Sequence, residues 1–409
     1  MQTSVIGFPR IGVYRELKFA TEKYFKKEID SSELSQTAET LRKTHWNIQK
    51  EAGIRYISCN DFSFYDMVLD TAQLLKIVPK RYQELELSEL DTYFAMAHGY
   101  QGNLGDVKAL AMKKWFNTNY HYIVPEIEDD TKIQVSGDKL WKEYEEAKAL
   151  GVTTKPVVIG AYTLLKLCRY TGQKKAEDFV EAAVRAYQEI IQKSEELGIA
   201  WIQFDEPALV QDMSGEEIAF FHKIYDAVLP CAKQSKILLQ TYFGDVRDIY
   251  RDIIQMPFAG IGLDFVEGKE TRCLIKEYGF PKDKLLFAGL VNGKNIWRNP
   301  YEKTLKTVRE LKEQGIQTVL STSCSLLHVP YTVKHEEKLS GEYLAYFAFA
   351  EEKLQELQEL SVLAEDENYL SHPAYCKNKE LFAGDRDCYN AQVQERISHV
   401  TEADSVRLP

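Results

Sequence analysis

The side chains suited to chemistry fall in a few places along the chain. Arg10, Arg15 and Lys18 crowd around a glycine turn at Gly12. Residues 15–28 read as a helix with Leu17, Ala20 and Tyr24 on one face, so Arg15 and Lys18, three apart, project as neighbours. Both lie in or near the first turn, where free N–H groups and the helix dipole favour anions. On residue types alone this is a solvated helix start; as a site, it is one for a polyanion. Lys114 precedes Trp115-Phe116, aromatics that can fix the backbone and present the ammonium, and is otherwise a surface lysine of the Lys113-Lys114 pair. Asp205-Glu206-Pro207 follows an apolar run, Ile199 to Phe204, and such a carboxylate pair suits acid–base work, ligand contact or a structural role. Cys324 and His328 stand at C-x3-H spacing, and His372, Cys376 and Cys388 gather later. Neither group has the tight pairs at both ends of a structural zinc site, so buried thiols and hydrogen-bonded histidines are expected and no metal is assigned. With no Gly-x-Ser-x-Gly elbow and no Walker loop, no catalytic residue is assigned either.

Positioning these groups falls to short β-rich runs at about 4–8, 54–60, 156–160, 199–205, 236–243, 260–265, 285–291 and 317–323. Most are near-continuous apolar runs, as for strands buried on both faces of a parallel sheet. Helix patterns lie between them, clearest over 176–197 with a stop at Gly198, and over 32–52 with a stop at Gly53. The pattern predicts an α/β fold, a (β/α)8 TIM-type barrel. Strand after strand ends in a polar residue, Asn60-Asp61, Asp205-Glu206, Thr241, Asp264, Asn292 and Ser321 to Ser323, which places the functional face at the C-terminal strand ends. Residues 61–155 are too long for a βα connection and are read as an insertion after the second strand, with its own helices and a hairpin near 121–135. Barrel and insertion occupy residues 1–340, and 341–409 form a helical, charged C-terminal extension.

A net charge of −11 disfavours nucleic acid or an anionic membrane as the main partner. Seven scattered cysteines argue for reduced thiols. No apolar run reaches the roughly 18 residues that span a bilayer, and the N-terminus lacks a basic stretch followed by an apolar segment. The reading is a soluble cytoplasmic protein.

Several stretches, in order, resemble one family. They are Gly7-Phe8-Pro9-Arg10-Ile11-Gly12 with Arg15-Glu16-Leu17-Lys18, then Asn60-Asp61-Phe62-Ser63-Phe64-Tyr65-Asp66 and Tyr93-Phe94-Ala95-Met96-Ala97. Lys114-Trp115-Phe116-Asn117-Thr118-Asn119-Tyr120-His121-Tyr122 and Asp205-Glu206-Pro207-Ala208-Leu209 follow. Asn295-Ile296-Trp297-Arg298 and Ser323-Cys324-Ser325-Leu326-Leu327-His328 complete the set. Together they resemble the N-terminal domain of cobalamin-independent methionine synthase over nearly the whole chain. Small departures occur at His98, Asn117 and Lys294, where the family often has Arg, Asp and Arg.

The resemblance implies half of a two-barrel methyltransferase that moves a methyl group from a 5-methyltetrahydrofolate polyglutamate to homocysteine, giving methionine. It assigns Arg15, Glu16, Leu17, Lys18 and Lys114 to the polyglutamate tail. It places the zinc and the chemistry in a C-terminal catalytic barrel, bound through a His-x-Cys pair that this chain lacks, so no cofactor is expected here and the chain alone is expected to be inactive. The sequence is then either a piece ending near a domain boundary or a natural half-length relative. The alternatives are a stand-alone folate-binding module and a simpler autonomous barrel methyltransferase. In the family the Asp-Glu-Pro-Ala-Leu phrase recurs in the catalytic barrel, so Asp205 and Glu206 are expected to be vestigial or structural here.

Overall fold

A computed structural model describes residues 1–383 and 390–406. Eight parallel strands are hydrogen-bonded side by side: β1 (Gln2–Ser4), β2 (Ile57–Cys59), β3 (Thr154–Ile159), β4 (Trp201–Asp205), β5 (Lys236–Gln240), β6 (Gly260–Asp264), β7 (Leu285–Val291) and β8 (Thr318–Thr322). Strand β8 pairs with β1, and the ring closes where Ser4 bridges Tyr56 and the Val5 N–H donates to the Tyr56 carbonyl at 3.3 Å. This is the barrel the sequence pattern predicts, with each run at or within a few residues of its expected place.

Alternation along the strands builds the interior. In β4, Ile202 and Phe204 pack outward with the surrounding helices, which leaves Trp201, Gln203 and Asp205 to the inside. The N-terminal end is plugged by Tyr56, Trp201 and Phe287, whose rings lie 5.1–5.7 Å apart. Polar side chains stand above that plug, and the mouth opens above them. Gly289 in β7 fits because it has no side chain: a Cβ there would lie 2.8 Å from the Ser323 Cα and 3.0 Å from the Leu263 carbonyl. Both obstacles are backbone, so Gly289→Ala is expected to lower stability by about 1–3 kcal/mol; chemical denaturation checks this, and an unchanged midpoint would contradict the close approach.

The helices follow their signals. Helix α1 is Glu16–Phe25 and α2 is Ser31–Glu51. Asp30 caps α2 in a reciprocal pair: its carboxylate accepts from the Glu33 N–H at 2.9 Å while the Glu33 carboxylate accepts from the Asp30 N–H at 3.1 Å. Helix α3, Val180–Glu196, buries Val180, Ala183, Val184, Tyr187, Ile190 and Ile191, a helical stripe, and Gly198 beyond it has φ +72°. Helix α4, Ala350–Leu363, buries Leu354, Leu357, Leu360 and Leu363 and packs against β1, β7 and β8. The first long helix of the predicted extension is thus a wall of the barrel, after a single short turn at Gly341–Leu344.

The insertion holds helices at Met67–Leu74, Lys80–Gln83, Glu89–His98 and Lys139–Ala149 and a short hairpin of Tyr100–Gly102 with Gly105–Val107, but the hairpin expected near 121–135 differs from expectation. Met112–Lys114 pairs antiparallel with His121–Ile123, so the hairpin spans 112–123 rather than 121–135. Pro125 has no N–H to extend the ladder, and Glu126–Ile127 instead pairs in parallel with Arg169–Tyr170. Among the described residues no helix is long and apolar enough to cross a membrane.

Candidate functional site

A cavity opens at the C-terminal ends of the strands, over Gly7, Asp61, Asp205, Tyr242 and Ser325. Its floor is a chain of buried polar groups. Lys155 Nζ donates to the Val5 carbonyl at 3.0 Å and to Gln203 Oε1. Gln203 Nε2 donates to Asp205 Oδ1 at 2.7 Å, and the Tyr242 hydroxyl donates to Asp205 Oδ2 at 3.0 Å. Burial pushes the Asp205 carboxyl up to about 7 and pulls the Lys155 ammonium down to about 8. The Gln203 amide dipole joins the two, with its acceptor to the lysine and its donor to the carboxylate.

Glu206, one residue on, turns away from this cavity. Its carboxylate accepts the Tyr162 N–H at 3.0 Å, the Thr163 N–H at 2.7 Å and the Tyr225 hydroxyl, all buried. Burial pushes it up to about 7. The Asp-Glu pair therefore splits: Asp205 faces the mouth, and Glu206 ties β4 to the turn after β3.

The hairpin over 112–123 forms the roof. Its turn puts Phe116 at φ +49° and sets Trp115 edge-on to Tyr122. At the tip, Asn117 Nδ2 donates to Glu267 at 2.7 Å, and Lys294 Nζ donates to Asn117 Oδ1 at 2.9 Å while pairing with Glu267 at 2.6 Å. Two of the three residues expected from sequence to depart from the family pattern, Asn117 and Lys294, are thus in contact. Tyr120 lies edge-on to His328, which burial pulls down to about 4. Asn117→Ala is expected to speed amide exchange over 112–123 several-fold, because the removed links amount to about 1 kcal/mol of exposed bonding; unchanged exchange would mean the aromatic contacts alone hold the tip.

The predicted tail residues divide. Arg15 is the N-cap of α1 at φ +62° and makes no side-chain cap. The Arg15 guanidinium and Lys18 Nζ lie 5.7 and 5.8 Å from the centroid of the half-exposed Phe19 ring, and Lys18 also pairs with Glu22 at 3.7 Å. The Glu16 carboxylate accepts the Tyr14 N–H at 3.0 Å, across the space that a Gly12 side chain would fill. Leu17 is buried against Ala38, Leu41 and Phe62, and its N–H donates to the Ile11 carbonyl at 3.2 Å. Lys114, exposed at the end of its strand, lines a different groove with Phe116, Asn117, Gln211 and Phe243. Arg10 does not join the Arg15–Lys18 pair: its Nη1 donates to the Ser63 carbonyl at 2.5 Å and it lines the barrel mouth. Lys155, Gln203 and Tyr242 were not singled out from sequence; polar residues inside otherwise apolar strand runs were the available signal.

Neither C-x3-H residue is disposed for a metal. Cys324 is buried beside Ile6, Tyr242 and Phe243, and His328 packs among aromatic rings. His372 Nδ1 accepts the Ala374 N–H, the Cys376 thiol donates to the Leu370 carbonyl, and Cys388 lies outside the described residues. Among the described residues no three His, Cys, Asp or Glu side chains gather as a metal site, so those residues do not fit the zinc of the two-barrel scheme.

A single parallel barrel whose mouth is roofed by an inserted hairpin is the class that fold and site define. The family described as the N-terminal domain of cobalamin-independent synthase matches residues 2–315, and the chain belongs to that family. The 5-methyltetrahydropteroyltriglutamate–homocysteine methyltransferases of Streptococcus gordonii and Streptococcus thermophilus are each 53% identical over 409 residues, all of this chain and 54% of theirs. The chain spans about half the length of these curated relatives. A putative vitamin-B12 independent methionine synthase from Listeria monocytogenes has a TM-score of 0.61 at 17% identity, covering 90% of this chain and 98% of that one. A B12-independent methionine synthase from Shewanella sp. W3-18-1, in complex with selenomethionine, has a TM-score of 0.53 at 15% identity, covering 87% of this chain and 92% of that one. At those identities the structural likeness is one of fold.

Proposed function

We propose that the chain is the folate-holding and scaffolding half of a cytoplasmic homocysteine methyltransferase. The whole enzyme moves the methyl group of 5-methyltetrahydropteroyl-polyglutamate to homocysteine and yields methionine. The observation that carries this reading is the match along all of this chain to relatives of that name, of which it covers about half. A second, zinc-bearing barrel is the partner, and it hosts the transfer; this chain alone is inactive.

In this half, Arg15 and Lys18 take carboxylates of the polyglutamate tail, supported by an α1 start that Arg15 does not cap and that favours anions. Leu17 holds the segment in the core, and Glu16 braces the preceding loop by accepting the Tyr14 N–H. Lys114 supplies a further cation from the hairpin. Local cations of this kind are needed because the chain as a whole is at −11.

Calorimetric titration with methyltetrahydrofolate carrying one or three glutamates, in low salt, tests the reading. Binding of the triglutamate that exceeds the monoglutamate and fades as salt rises supports it. Equal affinity for both would remove the tail-reading role.

A further inference from the structure

Phe19 is a large apolar side chain that the core does not use. It is 46% exposed on α1 and joins none of the packed apolar clusters, although Leu17 and Ala20 beside it are buried. What lies near its ring is charge: the Arg15 guanidinium is 5.7 Å from the centroid and Lys18 Nζ is 5.8 Å from it. Both fall within the roughly 6 Å over which a ring face attracts a cation. The backbone sets up the first contact, because the Phe19 N–H donates to the Arg15 carbonyl at 3.2 Å and so places the ring one turn above Arg15. Among the described residues Arg15 forms no ion pair, and Lys18 meets Glu22 only at 3.7 Å between half-exposed groups. A ring holds a cation differently from a carboxylate. A carboxylate cancels the charge and takes up the N–H donors, whereas a ring face attracts the charge and leaves the donors to an incoming anion. Arg and Lys side chains are rich in rotamers, and fixing them when a ligand arrives costs affinity; holding them beforehand removes part of that cost.

We propose that Phe19 is a positioning residue for the polyglutamate tail, its ring holding the Arg15 and Lys18 cations together for neighbouring carboxylates. The inference rests on the tail reading given above and deepens it. Phe19 acts through the two cations, so its effect depends on their presence. It also depends on the ring: leucine keeps an apolar side chain but has no negative ring face, and tyrosine keeps the face. At an exposed site one such contact is worth roughly two- to fivefold in an equilibrium constant. Part of each contact is realised as affinity, so loss of the ring is expected to weaken triglutamate binding by roughly 3- to 10-fold.

The test titrates the 409-residue chain calorimetrically, in low salt, with methyltetrahydrofolate carrying three glutamates or one. The variants are Phe19→Leu, Phe19→Tyr, and Arg15→Ala with Lys18→Ala, the last with and without Phe19→Leu. Phe19→Leu is expected to lose roughly 3- to 10-fold for the triglutamate and less than about twofold for the monoglutamate. Phe19→Tyr should stay within about twofold of the parent for both ligands. On the background that lacks both cations, Phe19→Leu should cost nothing further, the non-additivity of groups that act as a unit. An equal loss for both ligands, a tyrosine variant as weak as the leucine one, or a further loss without the cations would overturn the proposal, since each marks a structural role or a direct contact. A parent that prefers the triglutamate, with Phe19→Leu binding it as tightly, overturns this proposal alone and leaves the tail reading standing. A parent that binds the triglutamate no better than the monoglutamate removes the tail reading, and this proposal with it.

Discussion

Replacing Glu206 by alanine is expected to lower the unfolding free energy by about 3–5 kcal/mol. The carboxylate is fully buried and gathers three donors, the Tyr162 and Thr163 N–H groups and the Tyr225 hydroxyl. Alanine strands all three in a dry site and opens a void beside them. Glu206→Gln keeps the shape and one acceptor oxygen, so its loss should be about 1–3 kcal/mol. The pH dependence separates either variant from the parent. Burial raises the folded carboxyl from 4.5 to about 7, so between those values the folded chain holds a proton that the unfolded chain has released. This group therefore makes the fold less stable as pH rises through that window, and Glu206→Gln should flatten that slope. Urea unfolding at pH 4.5, 6 and 7.5 reads both effects. An alanine variant within about 1 kcal/mol of the parent would reduce Glu206 to a passive filler.

That outcome bears on what the sequence could say about Asp205-Glu206. Adjacent residues on a strand face opposite sides, so one of the pair had to leave the interior. Which one left was readable from the apolar run before it: Ile202 and Phe204 pack outward, so Gln203 and Asp205 face in. The eight strands were legible because parallel barrel strands are apolar on both faces and end in polar residues. Other features depended on distant partners. Arg10 looked like a third member of a basic cluster with Arg15 and Lys18, yet its partner is the Ser63 carbonyl, 53 residues away. The hairpin of the insertion was displaced because its turn rests on a left-handed Phe116, a residue type that gives no turn signal. Ala350–Leu363 read as charged and peripheral because Glu351, Glu352, Glu356 and Glu359 interrupt its leucines, although its Leu354, Leu357 and Leu360 close the barrel wall.

Removing both cations at the α1 start, Arg15→Ala with Lys18→Ala, is expected to weaken binding of the triglutamate folate by roughly 10- to 100-fold. Each exposed charge-assisted contact is worth about 0.5–1.5 kcal/mol, and 1.4 kcal/mol is tenfold. The lower bound follows from solvent: Lys18 is 47% exposed and already shares its charge with Glu22 at 3.7 Å. The upper bound follows from their placement, since both cations lie against one Phe19 ring and present themselves to a single chain of carboxylates. The fold should be untouched, because neither side chain is buried and the helix is anchored through Leu17 and Ala20. Two features then distinguish tail binding from a general loss of charge. The monoglutamate, which lacks the extended tail, should change by less than about threefold, and the salt dependence of triglutamate binding should flatten with the two cations gone. Lys114→Ala, in a groove of its own, should add to the double variant rather than be masked by it, as separated sites do. If the double variant binds the triglutamate as the parent does, the basic pair is a solvated helix start, as its residue types alone suggest.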